Sequence, residues 1–335
     1  MSDRVAVVLL NLGGPDSLDA VEPFLFNLFS DPDIIDFPGS FLFRKKLAKM
    51  ISTRRAPMVE KQYAKIGGKS PIKEFNLRQA ELLEKRLNER LPAKVVVAMR
   101  YWHPSTDEAI DAILAEDITR VVLLPLYPQF SKATTVSSAK EWNKRVKDRG
   151  LSGKFDVTTI EHYHTDPRYV RAIVERVNDG LARFAPESRD QVTIVFSAHG
   201  TPMKLVRSGD PYSDHIKQTV ATVMARGEYS QVHTLCYQSK VGPLKWLEPS
   251  TPDTVKRLAA EGVRDMLIVP IAFTSDHLET LFELNIEYRR VANEAGIEQY
   301  EVTEGLNDSP TFIDALAGIV YEKLGLDAHE KGVAA

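Results

Sequence analysis

Short apolar runs recur along the chain and predict buried β-strands. Each run is the length of an ordinary strand and too short for a buried helix. The runs lie near residues 4–11, 94–100, 120–126, 156–161, 191–197, 232–238, 265–271 and 298–303. Helical stretches lie between them, and a last helix is expected from about 310 to 324. Strands that alternate with helices in this way are typical of an α/β fold with parallel sheets flanked by helices.

An internal repeat indicates that one unit of this fold occurs twice. Residues 104–126, PSTDEAIDAILAEDITRVVLLPL, match residues 249–271, PSTPDTVKRLAAEGVRDMLIVPI, without a gap. Both copies read as a helix capped by Ser or Thr that leads into a buried strand. A second match, between residues 7–15 and 193–202, aligns Leu12 with His199. We therefore expect two similar Rossmann-like halves with a cleft between them.

The two halves differ by an insertion. The first domain is expected over residues 1–163, with an insertion at about 20–66, and the second over 164–304. Residues 305–335 are expected to form a helix and tail that pack back on the first domain. The inserted segment mixes phenylalanines with a dense group of Lys and Arg between residues 44 and 55. This composition suits a lip over a cleft better than a linker.

Composition excludes several classes of protein. The chain has 335 residues, 43% of them hydrophobic, and a formal net charge of −3. This charge does not indicate a nucleic-acid-binding protein, which is typically basic. Its single cysteine, Cys236, rules out an intramolecular disulfide and an all-cysteine iron–sulfur site, which fits a reducing cytoplasm. We expect neither a membrane-spanning segment, which needs about 18 apolar residues, nor a secretory signal.

Candidate chemistry lies in the loops that follow the strands, where parallel sheets bind ligands. His199 directly follows a predicted strand within SAHGTP (197–202). In PIAFTSDHLETLFELNIEYRR (270–290), four carboxylates fall on one stripe of an α-helix within about 80°. These acids are Asp276, Glu279, Glu283 and Glu287. Taken alone, His199 would be interpreted as a structural residue, and the stripe of acids as the solvent-exposed face of a helix.

Apolar residues on both flanks of the stripe favour a cleft instead. Like charges four residues apart repel, so a divalent cation or protons shared along the row would offset the cost. The loops at 99–104, 124–138 and 237–251 are rich in aromatic side chains and hydroxyls, and Arg100, Lys132 and Lys240 read as isolated cations. Turn chemistry explains some of these residues. Together they suit a wide, flat slot for a large planar dicarboxylic acid.

Seven segments in order make the chain resemble the ferrochelatase family. They are NLGGPDS (11–17), YAKIGGKSPI (63–72), RYWHP (100–104), LPLYPQFS (124–131), SAHGTP (197–202), QSKVGPLKWLEPST (238–251) and PIAFTSDHLETLFELNIEY (270–288). The resemblance implies two Rossmann-like domains and insertion of Fe²⁺ into protoporphyrin IX with release of two protons. This reaction is the last step of haem synthesis.

The resemblance also implies roles for single residues. His199 and Glu279 are the expected catalytic residues and metal ligands, with Asp276, Glu283 and Glu287 as a path for protons or metal. Porphyrin contacts are expected from Leu12, Arg100, Tyr101, Tyr127, Ser131, Trp246 and Phe273. Leu12 stands where the coproporphyrin branch tends to carry tyrosine, so protoporphyrin IX is the expected substrate. The tail lacks cluster-binding cysteines, so neither an iron–sulfur cluster nor another permanent cofactor is expected, and a monomer is favoured.

The inserted lip is expected to touch porphyrin or acyl chains through its apolar residues and anionic head groups through its cations. The apolar set is Phe37, Phe41, Phe43, Leu47 and Met50, and the basic set is Lys45, Lys46, Lys49, Arg54 and Arg55. This predicts peripheral membrane contact through residues 37–55. The alternative is an ordinary amphipathic helix packed on its own domain.

Two other functions compete with this interpretation. A sister chelatase would load cobalt or nickel into another tetrapyrrole with a similar cleft, but its aromatic segments look different. A two-lobed haem carrier would only hold its ligand and has no use for a row of acids. Ligand types do not decide the metal, because nitrogen and carboxylate donors suit Fe²⁺, Co²⁺ and Zn²⁺ alike.

Overall fold

A computed structural model describes residues 4–32, 40–240, 242 and 244–326, the side chains of 40–42 excepted. In this part of the chain, eight strands form two four-stranded parallel sheets. The first sheet has the order β2-β1-β3-β4 and consists of β1 (Val5–Asn11), β2 (Ala93–Met99), β3 (Arg120–Pro125) and β4 (Asp156–Thr159). The second has the order β6-β5-β7-β8 and consists of β5 (Thr193–His199), β6 (His233–Gln238), β7 (Asp265–Pro270) and β8 (Gln299–Val302). The expected two-half α/β fold is confirmed.

Helices connect these strands in chain order. The α-helices are α1 (Val21–Ser30), α2 (Ser40–Ala64), α3 (Ile72–Leu87), α4 (Thr106–Leu114), α5 (Ser137–Asp148), α6 (Pro167–Leu181), α7 (Met203–Arg207), α8 (Tyr212–Arg226), α9 (Thr251–Ala260), α10 (Tyr288–Ala295) and α11 (Pro310–Lys323). Two π-helices, Lys132–Val136 and Glu279–Glu287, precede α5 and α10, and a 3₁₀ turn spans Arg189–Gln191. Within the described ranges, no helix is long and apolar enough to cross a membrane.

The repeat in the sequence is a repeat in the structure. Ser105 and Ser250 cap α4 and α9, and each side chain accepts a hydrogen bond from the backbone three residues on. Helix α4 leads into β3 and α9 into β7, the third strand of each half and a direct neighbour of the first. The cap fixes where each helix begins, so the strand after it enters its sheet at the same place in both halves.

The inner strands of both sheets are buried on both faces, which explains why they read as continuous apolar runs. Along β1, Val5, Val7 and Leu9 point into a core that includes residues of both halves. Their neighbours Ala6 and Val8 point to a separate core formed with α4 and Trp142. The core shared between the halves joins the two sheets into one body.

Helix α11 contacts both halves. It packs against α6 of the second half and α3 of the first. The hydroxyl of Tyr321 on α11 donates to the carbonyl of Arg86 on α3 at 3.0 Å. The domain boundaries drawn at 163 and 304 stay a prediction.

The inserted segment forms α1 and the long helix α2, which pack on one another. Ala56, Val59 and Tyr63 of α2 meet Val21 and Leu25 of α1 in a small separate core. Leu278, from the loop after β7, packs against the same core. The insertion therefore reaches the loop that leads into the acidic helix of the second half.

Candidate active site

His199 is the last residue of β5, an inner strand of the second sheet. Its backbone carbonyl accepts a hydrogen bond from the hydroxyl of Tyr212 at 3.0 Å, and its ring lies edge-on to Phe273 at 6.2 Å between centroids. A Cβ at Gly200 would lie 2.9 Å from the carbonyl oxygen of Gln238, so only glycine lets the chain turn there without a clash. The imidazole therefore sits on a fixed backbone at the carboxyl edge of the sheet.

Burial lowers the pKa of His199 below the 6.5 that is usual for histidine. The negative charges of Glu279 and Glu283 oppose this shift, and a neighbouring histidine, His277, adds to it. With a lowered pKa the imidazole is neutral near pH 7, and a neutral imidazole can accept a proton. The role of His199 as the base of the reaction stays a prediction.

The acidic helix is a π-helix over Glu279–Glu287 rather than an α-helix. Its backbone N–H groups bond to carbonyls five residues back, a geometry that is rare and frequent at functional sites. Three acids lie along it at intervals of four residues, namely Glu279, Glu283 and Glu287. Asp276 lies in the loop before the helix and does not extend the stripe.

Asp276 is instead buried in a polar network of its own. One carboxylate oxygen accepts from the hydroxyl of Thr280 at 2.8 Å, and the other accepts from the side chain of Asn307 at 2.7 Å and the backbone of Gly305 at 3.2 Å. The backbone N–H of Asp276 donates to Asn307 in return. These bonds tie the loop after β7 to the segment before α11.

The expected burial on both flanks of the stripe holds on one side. Leu284 and Tyr288 are buried in the outer core of the second sheet. On the other side Ile286 is exposed, and Phe282 is half-buried with the ammonium of Lys65 5.4 Å from its ring centroid. The row of acids therefore lies at an edge between core and surface.

His277 and Glu279 form a close pair. Nε2 of His277 lies 3.1 Å from a carboxylate oxygen of Glu279, and Nδ1 lies 3.0 Å from the carbonyl oxygen of Ser275. Sequence reasoning missed His277, although it stands two residues before Glu279.

The carboxylate of Glu283 is surrounded by hydrogen-bond donors. Oε1 accepts from the hydroxyl of Tyr288 at 2.6 Å and the backbone N–H of Ser239 at 2.9 Å. Oε2 accepts from the amide of Gln238 at 3.1 Å and from the hydroxyl of Ser239. Sequence reasoning missed the three residues that supply these four donors. The signal for Gln238 was its place at the end of β6, beside the end of β5.

Glu287 differs from Glu283 in its surroundings. Burial and the charge of Glu283 raise the pKa of Glu287, while Arg290 and Lys65 oppose that shift. The row thus has one carboxylate held by donors and one that binds a proton more readily than usual. In the described part of the chain, no group of three or more His, Cys, Asp or Glu is placed to hold a metal ion.

The residues expected to contact porphyrin fall into two groups. Leu12, Tyr127, Trp246 and Phe273 are half-buried. Arg100, Tyr101 and Ser131 are engaged in contacts within the protein. The hydroxyl of Tyr101 donates to Asp31 at 2.7 Å, and that of Ser131 donates to Asp210 at 3.0 Å.

Two of the three cations expected to be isolated are not. Arg100 bonds to Asp31 at 2.6 Å and lies 3.4 Å from Glu141, so its charge is balanced within the fold. The ammonium of Lys132 donates to the carbonyl of Ser208 at 2.6 Å. Lys240 is exposed. An anion-binding role therefore fits Lys240 better than Arg100 or Lys132.

The C-terminal end of helix α2, which belongs to the inserted lip, lies close to the row of acids. Burial and the charge of Glu279 raise the pKa of Tyr63, near the end of α2. Farther along α2, Phe43 and Met50 are each 61% exposed. Lys45, Lys46, Lys49 and Arg54 are exposed, and Leu47 and Arg55 are half-buried. Phe37 and the side chain of Phe41 lie outside the described residues.

Known proteins resemble this chain along nearly its whole length. A family model described as Ferrochelatase matches residues 4–324. A protein named Ferrochelatase from Geotalea daltonii is 48% identical over 325 residues, covering 97% of this chain and 99% of its own. Another of that name from Gloeobacter violaceus is 48% identical over 326 residues, covering 96% and 98%.

A solved structure supports the fold at a greater distance. SirB from Bacillus subtilis with Fe³⁺ matches with a TM-score of 0.54 and 12% identity, covering 96% of this chain and 95% of its own. At that identity the match shows the shared two-half architecture. The family model and the relatives at 48% identity go further. This chain belongs to the ferrochelatase family.

Proposed function

We propose that this chain inserts Fe²⁺ into protoporphyrin IX and that His199 accepts the protons that the porphyrin releases. The names of the relatives at 48% identity support the activity. The observation that carries the residue assignment is a neutral, fixed imidazole at a strand end, close enough to Glu279 and Glu283 for both to affect its pKa. A row of acids beside a base suits metallation better than passive binding of haem.

The reaction balances with Fe²⁺ and the free-base porphyrin as substrates and metalloporphyrin and two protons as products. The four pyrrole nitrogens bind the metal, and two of them lose their N–H protons. Burial keeps the imidazole of His199 neutral near pH 7, so His199 is the proposed first acceptor. Protons then leave toward Glu287, whose pKa is raised. Fe²⁺ and the free-base porphyrin enter as substrates, and the metalloporphyrin leaves as the product. The proposed reaction requires no permanent cofactor.

The porphyrin slot is assigned to the half-buried residues at the strand ends. Leu12 follows β1 and Phe273 follows β7, so the two halves both contribute to it. An aliphatic side chain at Leu12 supports protoporphyrin IX over coproporphyrin. Trp246 and Tyr127 supply further apolar surface. Asp276 is better explained by its bonds to Asn307 and Gly305 than as part of the proton path.

The lip supports a second proposal, peripheral contact with a membrane surface. Phe43, Met50 and Met58 are 61%, 61% and 52% exposed on α2. At about 100° per residue they share one face with Arg54 and Lys61. Apolar side chains with flanking cations suit an interface with anionic lipid. A monomer in the cytoplasm that touches the membrane through this face is consistent with these features.

Anaerobic turnover tests the proposal. The protein is mixed with Fe²⁺ and either protoporphyrin IX or coproporphyrin III, and porphyrin absorbance is followed. We expect rapid metallation of protoporphyrin. A preference for coproporphyrin would keep the enzyme and overturn the inference from Leu12. Tight binding of both porphyrins without metallation would favour a carrier instead.

A further inference from the structure

Tyr288 has a polar contact that the proposed reaction does not explain. Its side chain is 8% exposed and packs in the outer core of the second sheet, yet its hydroxyl donates to Oε1 of Glu283 at 2.6 Å. Burial and the charge of Glu283 raise the pKa of Tyr288, so the phenol keeps its proton and remains a donor. A phenol in an apolar core is thus aimed at a carboxylate of the candidate site.

The other donors to Glu283 are themselves held in place. Gln238 is 2% exposed, and its Oε1 accepts from the hydroxyl of Ser197 at 2.8 Å. This bond orients its amide N–H groups toward Glu283 and toward the backbone carbonyl of Glu279, 3.2 Å away. Gln238 pairs with His199 in the β5–β6 register. The carboxylate is therefore fixed to the same sheet edge that carries the base.

These contacts hold the side chain of Glu283 in one orientation. Each described contact is with a donor, and the four donors use both carboxylate oxygens. To turn, the side chain must break at least one of these bonds. Glu287, in the same row, has a raised pKa and lacks such a set of donors among its described contacts.

We propose that Tyr288 is a positioning residue, which holds Glu283 as a fixed negative charge beside His199. The inference rests on the proposed function and deepens it, since it gives Glu283 a role distinct from that of Glu287. The pKa of His199 is also affected by Glu279 and His277. The pKa of Tyr288 is also raised by the charge of Glu287. Loss of the Tyr288 hydroxyl should act on His199 through Glu283.

A matched pair of variants tests this role. Tyr288→Phe removes the hydroxyl and keeps the ring. Tyr300→Phe is the control, because its hydroxyl is also buried and bonds to the same π-helix, but to the backbone carbonyl of Leu284 at 3.0 Å. A general weakening of the helix would affect both variants, whereas loss of the fixed charge affects only the first.

The main readout is the titration of His199, followed by NMR with ¹³C-labelled histidine. The His199 signal is identified among eight histidines by its absence in His199→Ala. In Tyr288→Phe the carboxylate can turn away, which weakens the negative field at the imidazole. We expect the His199 midpoint to fall by about 0.5 pH unit or more, and the acidic limb of kcat/KM to move the same way.

Ser239→Ala, which removes another donor to Glu283, should shift the midpoint in the same direction if Tyr288→Phe does not fold. A midpoint within about 0.2 unit of wild type in the folded variants, or an equal shift in Tyr300→Phe, would overturn the proposal. The titration does not need turnover. A protein that fails to metallate porphyrin yet shows the shift would therefore refute the proposed function and leave the Tyr288 contact intact.

Discussion

His277 and Glu279 face each other at 3.1 Å, while the other ring nitrogen of His277 faces the carbonyl of Ser275. Both groups affect the pKa of His199, Glu279 by raising it and His277 by lowering it. No other acid of the row is paired with a histidine in the described structure.

Glu279→Gln should reduce metallation by about 10²-fold, at the lower end of what a positioned acid–base group contributes. The amide removes the charge that supports protonation of His199 and the carboxylate that faces His277. Single-turnover absorbance at pH 7 measures the loss. Glu287→Gln, on the same helix, is the matched control and should cost less than about tenfold. Equal losses in both variants would contradict a special role for Glu279.

Asp276→Ala should lower stability and leave the pH profile of the remaining activity unchanged. The substitution leaves the donors of Thr280, Asn307 and Gly305 without their acceptor, at a cost of about 1–3 kcal/mol. Thermal unfolding and kcat/KM between pH 6 and 9 give the two readouts. Asp308→Ala, an exposed residue of the neighbouring segment, should change neither. A stable variant with a shifted pH profile would return Asp276 to the proton path.

Asp31→Asn should be among the most destabilising conservative changes in the first half. Asp31 has a side chain only 2% exposed and accepts from both Arg100 and Tyr101. Removal of one charge from a buried pair costs about 3–5 kcal/mol, and the remaining contact of Arg100 with Glu141 should place the loss near the lower end. Urea denaturation measures it.

Asp16→Asn provides the comparison for that ion pair. The pair of Asp16 with Lys73 is about one-third exposed on both sides, and such pairs contribute about 0–1 kcal/mol. If the two variants lost the same stability, the Arg100 cluster would not be a structural ion pair. Arg100 would then be open again to the porphyrin role that its position suggested.

Acid should destabilise the fold through a cluster of three histidines. The rings of His164 and His215 stack at 3.7 Å, with His162 within 5.0 Å of both, and burial lowers the pKa of His215 from 6.5 to about 4. The folded state binds fewer protons than the unfolded state between these values. Stability should therefore fall as pH drops from 6.5 toward 4, with no contribution from this group above that range.

His215→Asn tests this dependence. Nδ1 of His215 accepts from the backbone N–H of Phe130 at 3.2 Å, and the oxygen of asparagine can replace this acceptor without titrating. Free energies of unfolding at pH 7.5 and 5.0 should differ less in the variant than in wild type. The same difference in both proteins would show that the acid sensitivity lies elsewhere.

The fold could be predicted from the sequence because the inner strands of both sheets are buried on both faces. All eight predicted strands are present, with ends that shift by a few residues at most, and α11 lies within one residue of its predicted range. The repeat marked the third strand of each half, since Ser105 and Ser250 begin matching helices. Boundaries of the inserted helices were not predicted, because α1 and α2 pack on each other and on Leu278 rather than on the sheet.

The candidate site was predicted in part. His199 and Glu279 were proposed from the sequence because ligands bind at the loops after parallel strands, and the structure places both residues in such loops or at their edge. The π-helix was not predicted, since a helical wheel assumes α-helical geometry, and Asp276 was placed on the stripe for that reason. Arg100 looked isolated because its partner Asp31 is 69 residues away in sequence. The donors to Glu283 required the register of β6 against β5.

The most direct test of the account compares wild type and His199→Ala in anaerobic turnover with Fe²⁺ and protoporphyrin IX. A positioned base contributes about 10²–10⁴-fold in rate, so the variant should lose at least about 10²-fold. Porphyrin affinity, measured by fluorescence quenching, should stay within about tenfold of wild type, because the slot retains Leu12, Trp246 and Phe273. A variant that binds porphyrin and keeps most of its rate would remove His199 from the chemistry.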